Sequence, residues 1–119
     1  MASHNELGRK GEALTEEYLL RNGYQVLAKN WRYLKAEIDI IAKKGDVLAI
    51  IEVKTRTSVD IISPEAAVNS KKIKLLVAAA NEYVIQNDLD VEVRFDIVAI
   101  HKKNEKYNMN HIKDAFLFF

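Results

Sequence analysis

The chain has 119 residues and a mass of 13.6 kDa, enough for one domain (residues 1–119) with its own core and no covalent staples. It contains no cysteine, which excludes disulfides and thiolate metal sites, and its 18 basic and 17 acidic residues leave a formal charge of +1, which argues against a strongly basic, non-specific DNA coat. Met1 to Glu6 lacks the apolar core of a signal peptide and no stretch is long enough to span a bilayer, so a cytoplasmic protein without a membrane partner is expected.

From about Asn5 to Arg21 the chain reads as a helix, with Leu7, Leu14, Tyr18 and Leu19 at helical spacing among Glu12, Glu16 and Glu17. Gly23 suits the left-handed position just past its end. Tyr24 to Lys29 reads as a short strand. Two buried strands follow, Ala36 to Ala42 and Val47 to Thr55, joined at Gly45-Asp46, a pair suited to a type II′ turn. Arg56 to Ile62 has no strong pattern and is expected to be a mobile loop. Ser63 as N-cap and Pro64 at the first helical position open a helix to about Asn87, with Ala67, Ile73, Leu76, Val77, Ala80, Tyr83 and Val84 on its apolar face. Val91 to His101 is a strand, Lys103-Asn104-Glu105 a turn, and Ile112 to Phe119 a last strand or an aromatic lid. The order α-β-β-β-α-β plus a C-terminal strand or tail predicts an α/β fold with a mixed central β-sheet flanked by helices. Its strand–helix–strand unit from Val47 to His101 should be a parallel, right-handed crossover.

Asp39, Glu52 and Lys54 interrupt the two buried strands with charge, which is costly there without a partner. Residues two apart on a strand share a face, so Glu52 lies beside Lys54 and Glu37 beside Asp39. A two-residue loop at Gly45-Asp46 pairs Lys44 with Val47, and that register sets Asp39 opposite Glu52 and Glu37 opposite Lys54. Directly opposed residues have Cβ atoms about 4.5–5.5 Å apart. Two carboxylates repel by roughly 4 kcal/mol at 4 Å and an effective dielectric of 20. A divalent cation turns that repulsion into attraction, and Mg²⁺ suits one or two carboxylates completed by water and phosphate oxygens.

Plainer roles compete with these. Glu52 and Lys54 would also make a same-face surface ion pair, Glu37 a partner for Lys54 or Arg56, and Glu12 an ordinary helix-surface acid. Lys71, Lys72 and Lys74 read as a solvated helix face from which one lysine could reach a DNA phosphate, and Arg32 and Arg56 carry the same two readings. Arg94 and Asp96 should pair structurally. His4, His101 and His111 have no ligand spacing and read as surface residues. Trp31 and Tyr33 fit core or edge packing better than base stacking.

An acid on one strand and Glu-x-Lys on the next resembles the PD-(D/E)-x-K phosphodiesterase superfamily, which includes restriction endonucleases and archaeal Holliday-junction resolvases. More closely, the chain resembles the YraN-like family of small bacterial proteins. The residues that carry this are Gly8-Arg9-Lys10-Gly11-Glu12, Gly23-Tyr24, Asn30-Trp31-Arg32, Glu37 to Ala42, Glu52-Val53-Lys54-Thr55-Arg56, Ala67-Val68 with Lys71 or Lys72, and Arg94-Phe95-Asp96. The resemblance implies a restriction-endonuclease-like fold and a Mg²⁺- or Mn²⁺-dependent endonuclease acting on DNA, branched or damaged DNA included. Asp39, Glu52 and the backbone carbonyl of Val53 would be metal ligands, Lys54 the catalytic lysine, and Glu12 the acid that binds a second metal or a water of the first. Neighbouring carboxylates should keep Lys54 an ammonium, so it would orient water and contact the scissile phosphate rather than act as a base. The alternative is a nucleic-acid-binding protein that keeps the fold with little or no cleavage. The apolar end, Ala115 to Phe119, offers a surface for a partner or for a second copy in a homodimer.

Overall fold

A computed structural model describes residues 2–57 and 69–116. Helix α1 (Ala2–Arg21) leads into strands β1 (Gln25–Tyr33), β2 (Ala36–Lys44) and β3 (Val47–Thr57), then helix α2 (Ser70–Gln86) and strands β4 (Glu92–Lys103) and β5 (Lys106–Ile112). The strands form one sheet in the order β1-β2-β3-β4-β5. Among the described residues β3 and β4 pair in parallel, across α2, and the other neighbours are antiparallel. The expected mixed sheet flanked by helices is therefore present. No described helix is long and apolar enough to cross a membrane.

The helices cover opposite faces. On one, Leu76, Ala79, Ala80 and Tyr83 of α2 pack on Ile38, Ile41, Leu48, Ile50, Phe95 and Ile97. On the other, Leu19 of α1 packs with Tyr24, Ile40, Ala42, Ala49, Ile51, Val98 and Ile100. Strands buried on both faces have continuous apolar runs, which is why Val47 to Ile51 carries no polar residue.

Turn chemistry fixes the joints. Gly23 (φ 85) closes α1 in a Schellman motif, with the Tyr24 amide on Leu19 O and the Gly23 amide on Leu20 O. Gly45 (φ 59) supplies the left-handed first residue of the β2–β3 turn, and Lys44 faces Val47 as the turn requires. Asn104 and Glu105 turn β4 into β5, with Lys103 facing Lys106.

Three expectations shift. Helix α2 begins at Ser70, because Asn69 is extended (φ −90, ψ 173) and its side chain accepts from the Lys72 amide as N-cap. Arg56 and Thr57 continue β3 instead of opening a loop, because that strand keeps pairing with β4 as far as Thr57; residues 58–62 of the expected loop, the Ser63-Pro64 start and Ala67 lie outside the described residues. The last strand spans Lys106–Ile112 rather than starting at Ile112; Tyr107 and Met109 pack against the α1-side core between polar neighbours, a weak apolar pattern. After it the chain turns, Phe116 lies 5.5 Å from Phe95 ring to ring, and the Ala115 amide donates to Phe95 O. The rest of the apolar end, residues 117–119, lies outside the described residues.

Candidate functional site

Strands β2 and β3 follow the expected register from Lys44/Val47 to Ile40/Ile51, and there the ladder stops. The next pair would be Asp39 with Glu52. Instead, the Val53 amide donates to Oδ2 of Asp39 at 2.8 Å, so a carboxylate takes the place of a backbone partner where the strands fork. β3 stays anchored across the fork, because it continues to pair with β4 from Val47/Glu92 to Thr57/Lys102.

Glu52 lies on the α2 face with Leu48 and Ile50, and is 4 % exposed. Its Oε2 receives Lys54 Nζ at 3.3 Å, and Lys72 Nζ from the first turn of α2 also bonds to it. Its other oxygen, Oε1, is buried without a hydrogen-bond partner. A buried carboxylate oxygen left unpaired costs on the order of 1–3 kcal/mol, so the site has an unused acceptor.

The acids sense one another. Burial, then the charge of Glu52, pushes the Asp39 carboxyl up to about 7; the Val53 amide and Lys72 oppose this and Glu12 adds to it. Glu12 reaches the same region from α1. Burial raises its carboxyl, a hydrogen bond with Asn30 opposes, and the charges of Glu37 and Glu52 raise it further. For Lys72, burial works against the charge, but the bond to and charge of Glu52, with Asp39, outweigh it and raise its pKa. Charge interactions thus link Glu12, Asp39 and Glu52, and Lys54 and Lys72 both sit on Glu52.

Helix α1 can lie this close to β3 because residue 11 is glycine. A Cβ there would collide with Thr55 Oγ1, which is itself buried and unpaired. Thr15 secures the same turn by donating to Gly11 O at 2.8 Å.

Other expected residues fall elsewhere. Glu37 is a partner of neither Lys54 nor Arg56; it faces Arg32 across β1–β2 and pairs with it at 3.6 Å. Register explains the change, since the β2–β3 ladder never extends to residue 37. Arg56 Nη1 donates to Thr55 O at 3.2 Å. Lys71 is exposed, beside a cleft of about 250 Å³ that Lys72, Lys35 and Glu37 also line. Lys72 is no free member of a solvated face, because it is engaged with Glu52. Trp31 stacks on Tyr33 and meets Tyr83 edge-on at 5.2 Å, a packing arrangement.

A second polar cluster lies on the α1 face of β4. Asp96 is fully buried and held by Arg94 Nε at 2.9 Å, Arg94 Nη2 at 2.8 Å, His111 Nε2 at 2.7 Å and the Asp114 amide at 3.1 Å. His111 Nδ1 meets Tyr18 OH at 2.7 Å, and Arg94 Nη2 donates to Tyr24 OH at 2.7 Å. Burial opposes the Asp96 charge, but the His111, Arg94 and Asp114 hydrogen bonds outweigh it and hold the carboxyl low. The Arg94–Asp96 pairing is as expected. His111 is not a surface residue: its side chain is 5 % exposed. The signal was its position in an alternating strand with Tyr107 and Met109.

The donors at the fork are all oxygens, two carboxylates with one oxygen unpaired. Among the described residues no group of three or more His, Cys, Asp or Glu is close enough to hold a metal by itself. Carboxylate oxygens of this kind are donors for a hard cation such as Mg²⁺, which takes one or two carboxylates and completes its shell with water and phosphate.

Fold and site together define an α/β protein whose five-stranded mixed sheet carries a carboxylate–lysine cluster at the fork of its central strands. Comparison with known proteins agrees with one family over most of the chain. The model of uncharacterised protein family UPF0102 matches residues 11–100. A UPF0102 protein of Flavobacterium psychrophilum is 54 % identical over 119 residues, covering all of both chains, and one of Christiangramia forsetii is 52 % identical over the same span. One of Parabacteroides distasonis is 48 % identical over 116 residues, 98 % of this chain and 96 % of the relative. The chain belongs to the UPF0102 family, the YraN-like family.

Proposed function

We propose that the chain is a restriction-endonuclease-like domain acting as a metal-dependent endonuclease on DNA. The observation that carries this reading is Glu52: a buried carboxylate with one unpaired oxygen, electrostatically coupled to Asp39 across a forked ladder. Lys54 and Lys72 both neutralise Glu52 through Oε2, so Oε1 is the buried oxygen that remains available to a further cation.

Asp39 and Glu52, with the Val53 carbonyl, would hold Mg²⁺ or Mn²⁺, and Glu12 would bind a second ion or a water of the first. The ion would supply Lewis acidity for the attacking water and offset charge on the phosphoryl oxygens. Lys54, paired to Glu52, contributes an ammonium that orients the scissile phosphate. Arg32, Arg56 and Lys71 are the cations at hand for backbone phosphates, enough for a local patch on a nearly neutral protein.

The test is cleavage of single-stranded, duplex, flapped and four-way DNA with Mg²⁺ and with Mn²⁺, alongside Asp39→Ala/Glu52→Ala. We expect metal-dependent nicking that the double variant abolishes. No cleavage of any substrate, with DNA binding intact, would replace this reading with that of a binding protein on a nuclease scaffold. The small net charge favours that second reading.

A further inference from the structure

Glu52 presents its two oxygens unequally. Oε2 carries two ammonium groups, from Lys54 on its own strand and from Lys72 on α2, while Oε1 has none. Lys54 follows Glu52 by two residues and is held on that face by the strand itself. Lys72 reaches Glu52 from a separate element. It also borders the cleft of about 250 Å³ between the β1–β2 turn and α2, where Lys35 and Lys71 supply two more positive charges against the single acid Glu37. Two environments therefore compete for one flexible side chain: a carboxylate that needs a cation, and a cationic cleft large enough for a phosphate.

We propose that Lys72 is a stand-in cation that a divalent metal displaces from Glu52, and that the released ammonium joins Lys35 and Lys71 in binding a phosphodiester of the substrate. The proposal rests on the metal-dependent reading above and adds a coupling to it. A metal ion on the unpaired Oε1 shares one carboxylate with the Lys72 ammonium on Oε2, repels it and neutralises Glu52 in its place. Lys54 is held beside Glu52 by its own strand, whereas Lys72 comes from a separate helix and also borders the cleft. Metal loading then opens the phosphate subsite, and the empty centre closes it. Binding linkage makes the effect reciprocal: DNA that captures Lys72 raises the affinity for metal.

The test uses the intact chain and needs no cleavage. Mn²⁺ affinity without DNA is measured by calorimetry for wild type, Lys72→Met, the exposed control Lys74→Met, and Asp39→Asn. Lys72→Met should bind Mn²⁺ about tenfold more tightly, as expected when a competing cation is removed, with Lys74→Met unchanged. Affinity for a duplex, read by fluorescence anisotropy in Ca²⁺ and in EDTA, should rise with metal in wild type and lose most of that rise in Lys72→Met. In wild type itself, the NMR signals of the Lys72 side chain should move on adding Mg²⁺ toward those of Lys74, a readout independent of how the variants fold. Unchanged or weaker Mn²⁺ binding by Lys72→Met, a full metal response of its DNA affinity, or a stationary Lys72 signal would each overturn the proposal. Failure of wild type to bind Mn²⁺, or binding that survives Asp39→Asn, would instead overturn the metal centre itself.

Discussion

The Asp39 carboxylate accepts the Val53 amide at 2.8 Å and so ends a β-ladder with a side chain. Asparagine would keep an acceptor for that amide while removing the charge, which makes Asp39→Asn a clean probe of electrostatics. The Asp39 carboxyl has an ordinary value of 3.8 and is raised to about 7 in the folded protein. Between those values the native state holds a proton that the unfolded chain has released, so stability falls as pH rises through this window. The limiting slope is roughly 1.4 kcal/mol per pH unit. Urea unfolding at pH 5 and pH 8 should show wild type losing more stability than Asp39→Asn over that range. Mg²⁺ at pH 8 should restore melting temperature in wild type and not in the variant. Equal losses in both proteins would mean that Asp39 ionises normally.

Lys54 should separate metal binding from chemistry. Lys54→Ala leaves Asp39 and Glu52 in place, so its Mn²⁺ affinity should match wild type or exceed it. Its cleavage rate should fall by on the order of 100-fold or more, the usual cost of losing one charged group aimed at a developing oxyanion. Paired calorimetry and single-turnover cleavage check this. Cleavage at the wild-type rate would remove Lys54 from the reaction.

Gly11 is required by space. Alanine ordinarily gains up to about 1 kcal/mol over glycine inside a helix. Here its Cβ would strike Thr55 Oγ1, so Gly11→Ala should instead lose about 1–3 kcal/mol through overpacking. Adding Thr55→Ala removes the struck hydroxyl, an atom with no hydrogen bond to lose, and should recover part of the stability. Denaturant midpoints of the two single variants and the double measure that coupling.

Asp96 gathers Arg94, His111 and the Asp114 amide around one fully buried carboxylate. Asp96→Ala should cost about 3–5 kcal/mol, because it leaves the Arg94 charge without its partner. Replacing Arg94 and Asp96 together with apolar residues should cost less than Asp96→Ala alone. Thermal and urea unfolding of the three proteins test the order, and an additive double variant would argue against a shared network.

The hairpin that builds the site was legible because Gly45-Asp46 fixes its own register and every apolar residue up to Ile40 and Ile51 agrees with it. The pairing beyond Ile40 was not, since nothing in a strand pattern announces that a side chain will displace the ladder. That fork also sent Glu37 to Arg32. Lys72 was read as solvated because helical spacing says which residues share a face, and not that the first turn of α2 sits by the β1–β2 turn with Glu52 in reach of the lysine. The helix start at Asn69 was hidden by the stronger signal of Ser63-Pro64. His111 was read as a surface residue because its alternation with Tyr107 and Met109 is weak, and its partners Asp96 and Tyr18 lie far away in the chain.

The parallel step at the centre of the sheet has a consequence for synthesis. The β3 edge that starts at Val47 waits for a partner that starts at Glu92, about 45 residues further along, so it stays open long after the first three strands can pair. While the nascent chain is incomplete, Ile50, Ile51 and Val53 present an unfilled apolar template to any neighbouring polypeptide. Folding yield should therefore depend on how quickly the ribosome delivers β4, and a pause in translation between α2 and β4 would be more damaging than one at either end.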